Sequence, residues 1–175
     1  EPGDDEQFGW SEYLLYHQQR GFAFLVDAQD GWSLVRPTTG APKLAKNERS
    51  ATYLGTTYQL QSSYSAETTY VLGEFYWQVQ RGQKTFNRDF ASTRGLLSLE
   101  QSPQEITWSA GDKIDSRAVA KAFHLTDQQA LLQRADAATF VEAKGLGCGA
   151  LIATGLLLIV PVSYIHLTPP TIRSV

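Results

Sequence analysis

Residues 22–35 read Phe22-Ala23-Phe24-Leu25-Val26-Asp27-Ala28-Gln29-Asp30-Gly31-Trp32-Ser33-Leu34-Val35, and this stretch decides the fold class. Phe22, Phe24 and Val26 alternate with their neighbours, the period of a strand with one buried face. Asp30-Gly31 then turns the chain, because this pair tolerates the positive φ of tight hairpin turns, and Trp32 and Leu34 resume the pattern. The stretch predicts a β-hairpin.

The same punctuation extends in both directions. Upstream, Glu12-Tyr13-Leu14-Leu15-Tyr16 is an aromatic and aliphatic run that ends in the polar turn His17-Gln18-Gln19-Arg20-Gly21. Downstream, residues 37–55 are rich in Pro, Thr, Gly, Lys and Asn and read as a long loop. Tyr58 and Leu60 open another strand, and residues 66–72 a further one. Phe75, Trp77 and Val79 fall on one face opposite Tyr76, Gln78 and Gln80, before Arg81-Gly82 turns the chain into Lys84–Phe90. Short strands follow at 97–99 and 105–109. Strands recurring at this spacing predict a mainly β domain over residues 10–125, an antiparallel sandwich or a partly open barrel.

Short helices close the domain. Asp115 or Ser116 can cap the first, which sets Val119, Ala120 and Phe123 on one face. Thr126 with Gln129 three residues on has capping-box spacing, so residues 126–144 read as a helical connector. Residues 1–9 read as an acidic linker or a truncated domain start.

Charge narrows the function classes. Residues 1–6 hold Glu1, Asp4, Asp5 and Glu6 and no base, residues 7–144 hold 14 acids and 14 bases, and beyond them Arg173 stands alone. A balanced body without a basic stripe argues against a nucleic-acid partner. Cys148 is the single cysteine, so no disulfide or thiolate metal site can form within the chain. The chain contains no Met, which fits an internal fragment.

Residues 145–161 carry no charge and include Leu146, Leu151, Ile152, Leu156, Leu157, Leu158, Ile159 and Val160. As a helix rising ~1.5 Å per residue they would cover about 25 Å, slightly short of a ~30 Å hydrocarbon core. No polar stripe interrupts them, so the stretch reads as a transmembrane helix cut short, with the lipid bilayer as partner. Gly145, Gly149 and Ala153 have the small-xxx-small spacing through which two such helices can self-associate. Gly145-Leu-Gly147-Cys-Gly149-Ala150 also matches G-x-G-x-x-A, but it lacks the preceding apolar strand and following amphipathic helix of a dinucleotide site. Lys144, with Arg134 and Lys121 upstream, places the β domain on the cytoplasmic side of a bacterial inner membrane. Residues 162–171, Val-Ser-Tyr-Ile-His-Leu-Thr-Pro-Pro-Thr, resemble the translation of a sequencing-library adapter, differing at Ile165 and Pro169. Residues 162–175 are therefore read as an artefact and set apart from the fold.

Catalytic signals are sparse. His17 and His124 have no ligand-spaced partner, no Ser sits in a nucleophile elbow, and no cofactor or metal site is expected. Glu74 stands in the aromatic run Gly73-Glu74-Phe75-Tyr76-Trp77, where it can mark a site or pair with an Arg such as Arg88.

Several of these pieces together resemble a bacterial family catalogued as domain of unknown function 4178. They are Trp10-Ser11-Glu12-Tyr13-Leu14-Leu15-Tyr16, Gly21-Phe22, Phe24-Leu25-Val26, Gly31-Trp32, Gly73-Glu74-Phe75-Tyr76-Trp77, Asp89-Phe90, Leu97-Ser98-Leu99-Glu100 and Trp108-Ser109-Ala110-Gly111. The resemblance spans about residues 8–125 and implies a fragment truncated at both ends. It also implies domains set beside membrane helices, in gene neighbourhoods linked to membrane stress and polyamines, and it supplies no catalytic residues. The leading expectation is a membrane-tethered, non-catalytic binding or scaffold module. One alternative is an enzyme or small-ligand binder using Glu74, Trp77, Asp89 and Trp32; another is a soluble protein that buries its apolar helix.

Overall fold

The computed structural model describes residues 9–73, 75, 77–136 and 162–163. In chain order these form β1 (Trp10–His17), β2 (Gly21–Ala28), β3 (Gly31–Pro37), β4 (Lys43–Leu44), β5 (Ser50–Tyr53), β6 (Thr56–Glu67), β7 (Val71–Leu72), β8 (Lys84–Ser92), β9 (Gly95–Gln101) and β10 (Ile106–Ile114). After these come α1 (Ser116–Ala122), a 3₁₀ turn (Thr126–Gln128), α2 (Gln129–Leu132) and a two-residue β11 (Val162–Ser163).

Nine strands make one open antiparallel sheet in the order β1-β2-β3-β10-β9-β8-β6-β5-β4. β7 pairs in parallel with β11 outside it. The expected hairpin is present: β2 and β3 pair from Phe24↔Val35 to Ala28↔Gly31, with Gln29-Asp30 as the turn.

The sheet is rolled. Trp10 on β1 and Tyr64 on β6 lie six strand steps apart, which in a flat sheet is about 29 Å. Their rings nevertheless meet edge to face at 5.8 Å between centroids. Two local features accommodate the bend. β6 carries a bulge between Leu60 and Ser62, which increases strand twist. At Gly111 in β10, a Cβ would overlap the Leu34 carbonyl and the Val35 Cα, so only glycine lets β10 lie this close to β3.

Strand alternation sorts the side chains into an inner and an outer face. Val26, Ala28, Val35, Ala91 and Leu96 pack together inside the roll, with Trp10 and Phe24 against them. Outside, Ala51, Tyr58, Phe90, Leu97, Leu99 and Trp108 form a second cluster beneath the β4–β5 hairpin. A third joins Leu25 and Trp32 to Val119, with Ile114, Phe123 and Leu132 at its margin. Each fully buried aliphatic or aromatic side chain contributes about 1.5–3 kcal/mol of hydrophobic stabilisation, so the two outer clusters carry a large share of the fold.

The helical segment is pinned to this outer face. The Asp115 carboxylate caps α1 by accepting from the Arg117 N–H. Trp32 Nε1 donates to the Leu132 carbonyl at 2.8 Å. Arg134 places its guanidinium over the Trp32 ring and forms two bonds to Asp27, at 2.6 and 2.9 Å.

Three local expectations need correction. Residues 37–55 contain β4 and β5, not an uninterrupted loop; the polar sequence hides a hairpin whose buried contributions are little more than Leu44, Ala51 and Tyr53. Phe75, Trp77 and Val79 belong to no strand. Thr68 ends the β6–β8 ladder by donating its N–H to Gln83 and accepting from Gly82, and the chain between loops out. Thr126 makes no capping bond, because the backbone tightens into a 3₁₀ turn there. Among the described residues no helix is long and apolar enough to cross a membrane. The apolar stretch 145–161 lies outside them.

Candidate functional site

The inner face changes character along the strands. Around Val26, Ala28, Val35, Ala91 and Leu96 it is largely apolar; one row further on it is acidic. In β8, Thr85, Asn87, Asp89 and Ala91 point inward while Phe86, Arg88 and Phe90 point outward, as a two-residue period requires. Register then fixes the neighbours: Asp89 lies between Ser62 on β6 and Ser98 on β9, and Asn87 lies between Tyr64 and Glu100. Because the sheet is rolled, Glu12 on β1 faces the same group from the opposite wall. Its carboxyl feels both Glu100 and Asp89.

Three carboxyls thus face one another, Glu12 and Asp89 buried and Glu100 half-buried. Glu12 is 2% exposed and Asp89 6%, values uncommon for acids unless they are paired. Glu12 Oε1 accepts from Trp10 Nε1 at 3.2 Å. Asp89 accepts from Ser98 Oγ at 2.7 Å and from Ser62 Oγ at 3.3 Å. None of the four ion pairs among the described residues reaches this cluster: Lys84 pairs with Glu67, Arg88 with Glu48, Lys113 with Asp30 and Arg134 with Asp27.

Titration behaviour follows from that isolation. Burial holds the Glu12 carboxyl well above the usual range, and the Glu100 charge raises it further, against the Trp10 N–H. Burial raises Asp89 likewise, against the hydroxyls that donate to it. Glu100 is pushed up to about 7 by burial and then by Glu105. The Tyr64 phenol is raised for the same reason, chiefly by burial and then by Asp89. Burial thus favours the protonated form at each of these carboxyls.

Two further polar atoms in this space lack partners. Asn87 is fully buried; its Nδ2 donates to Thr85 Oγ1 at 3.2 Å, but its Oδ1 accepts nothing. The Tyr64 hydroxyl lies beside Asp89 without completing a hydrogen bond. A buried acceptor left unsatisfied costs about 1–3 kcal/mol. Among the described residues no three His, Cys, Asp or Glu side chains are placed to hold a metal ion.

At the β1–β2 turn the inner face becomes aromatic. Tyr16 packs on Phe22 at 4.9 Å between ring centroids. Trp77 meets Phe24 at 6.0 Å and Phe22 at 6.4 Å, with Phe75 at 5.5 Å. The segment between β6 and β8 therefore reaches across to β2 and covers part of the roll.

The residues singled out from sequence do not all converge. Asp89 sits in the centre of the acidic row. Trp77 stands at the aromatic margin, 41% exposed. Trp32 lies on the outer face, where it anchors α2. Glu74 is outside the described residues, and Arg88, its suggested partner, pairs with Glu48 at 2.6 Å. Sequence reasoning did not single out Glu12, Glu100, Asn87 or Tyr64 as site residues. The available signal was parity: each lies on an alternating strand at an inward position.

No curated protein and no solved structure matches the chain. One family model does match, over residues 3–116, a span that includes β1 to β10 and every member of the acidic row. The chain belongs to that family, described as domain of unknown function (DUF4178).

Proposed function

We propose that the chain is a non-catalytic binding domain, a partly open barrel that takes a small ligand on the inner face of its rolled sheet. The observation that carries this reading is the row formed by buried Glu12 and Asp89 and half-buried Glu100, beside an unpartnered Asn87 oxygen and, among the described residues, without a basic side chain paired to them. A fold seeking stability alone would fill this space with apolar side chains, as it does at Val26, Val35 and Leu96. Retaining acids there costs stability, and a bound ligand that completes their hydrogen bonds offsets that cost. The apolar segment 145–161 supports the second part of the reading, a tether that keeps the domain at the cytoplasmic face of a bacterial membrane.

The binding part is tested by thermal shift of the full chain against a panel of cationic, neutral and anionic small molecules. A ligand raises the melting temperature in proportion to the logarithm of its concentration. The reading predicts at least one compound that shifts the native protein and fails to shift Asp89→Asn. A panel in which no compound separates the two proteins contradicts it. The tether is tested by fractionating cells that express the intact gene. Recovery in the soluble fraction removes it and leaves the binding proposal standing.

A further inference from the structure

We infer that the ligand of the inner face is an organic cation bearing N–H donors, an alkylammonium or a guanidinium. This rests on the binding role proposed above and deepens it. Three features of the site point the same way. First, the row is rich in acceptors once its acids ionise: the carboxyls of Glu12, Asp89 and Glu100 and the Asn87 Oδ1. Of the donors already present, Trp10 Nε1 and the Ser62 and Ser98 hydroxyls are committed, and the Tyr64 hydroxyl lies beside Asp89. Second, Asn87 is an independent indication. It is fully buried, flanked in register by Tyr64 and Glu100, and its amide oxygen accepts from no described residue. Third, aromatic rings line the adjoining margin. Phe22, Phe24 and Trp77 can take the apolar body of a cation whose charged head reaches the acids, with Trp77 offering the best cation–π surface.

The alternatives fit less well. An anion would enter a row of acids with no base to meet it. A bare metal ion lacks a suitable three-ligand group among the described residues. A neutral polar molecule could satisfy Asn87 but would leave the carboxyls uncompensated. Binding a cation lets the acids ionise: a carboxyl O–H bond breaks, its proton leaves to buffer, and the carboxylate accepts from the ligand's N–H. Proton release is therefore part of the proposal. The titratable groups that face the site are Glu12 from β1, Tyr64 from β6, Asp89 from β8 and Glu100 from β9, with Glu105 acting on Glu100 from the β9–β10 turn.

The test is isothermal titration of the full chain at about neutral pH with four probes of similar size: n-butylammonium, 1-butanol, butyrate and tetramethylammonium. Repeating the titration in buffers of different ionisation enthalpy counts the protons released. The expected result is binding of n-butylammonium with proton release, with each other probe at least about tenfold weaker. Asp89→Asn and Glu12→Gln should each weaken n-butylammonium by a similar factor, while Trp32→Phe leaves it unchanged. Proton release by the native protein keeps the test decisive if either acid variant misfolds. Equal or tighter binding of butanol or butyrate, abolished by Asp89→Asn, overturns the cation and preserves the site. Equal binding of tetramethylammonium overturns the requirement for N–H donors. Binding of no probe, together with no hit in the wider panel, overturns both the cation and the binding role.

Discussion

Replacing Glu100 with Gln should stabilise the protein, and the gain should depend on pH in a way set by burial. Glu100 has an ordinary value of 4.5 and sits in the fold at about 7, raised first by burial and then by Glu105. Between these values the folded protein holds a proton that the unfolded chain has released. The folded state thus binds more protons, and stability falls as pH rises. The contribution is fully present below about pH 4.5, declines through about pH 7, and levels off above it. Moving a carboxyl from 4.5 to about 7 corresponds to about 3 kcal/mol, an upper figure because Glu100 keeps some contact with water. Gln keeps the shape and cannot ionise. The variant should therefore match the native protein near pH 4.5 and exceed it by up to about 3 kcal/mol near pH 8, which for a body of this size is roughly 10 °C in Tm. Urea unfolding at a series of pH values measures this directly. A variant less stable than the native protein at pH 8, or a gain that does not vary with pH, would refute the claim that Glu100 is a buried acid without a partner.

Other outcomes follow from the remaining geometry. Gly111→Ala should cost about 2–3 kcal/mol by urea unfolding, because the added Cβ meets the Leu34 carbonyl and the Val35 Cα of the neighbouring strand. Trp32→Phe should cost about 1–2 kcal/mol, since the Leu132 carbonyl loses its donor; amide exchange should quicken in 126–134 and stay unchanged in β8. Asp27→Asn should cost about 1 kcal/mol by breaking a partly exposed pair with Arg134 and loosening the same segment, without altering ligand binding.

The strands were legible in sequence wherever one face is apolar and the turn is marked. Phe22, Phe24 and Val26, the Gly21 and Gly31 turns, and the capped start of α1 all follow from local chemistry. The β4–β5 hairpin was not legible, since only Leu44, Ala51 and Tyr53 carry its apolar pattern. The run from Phe75 to Val79 misled for the opposite reason. Its alternation is that of a strand, but Thr68 closes the ladder onto Gly82 and Gln83, and Trp77 packs instead on β2. The site was less visible still. Asp89 could be noticed as an acid before an aromatic. Its approach to Glu12, 77 positions earlier in the sequence, depends on the roll of the whole sheet, which no local spacing encodes. Trp32 shows the converse: its composition invites a binding role, while its indole N–H is committed to Leu132.

The proposed binding role depends on the state of the buried row, and carboxyl carbon NMR of the full chain reads that state directly. With ¹³C-labelled Glu and Asp, Glu12 and Asp89 should titrate well above the ordinary carboxyl range in the free protein and closer to it when n-butylammonium is added. Ordinary titration of both carboxyls in the free protein, near 4, would contradict that role.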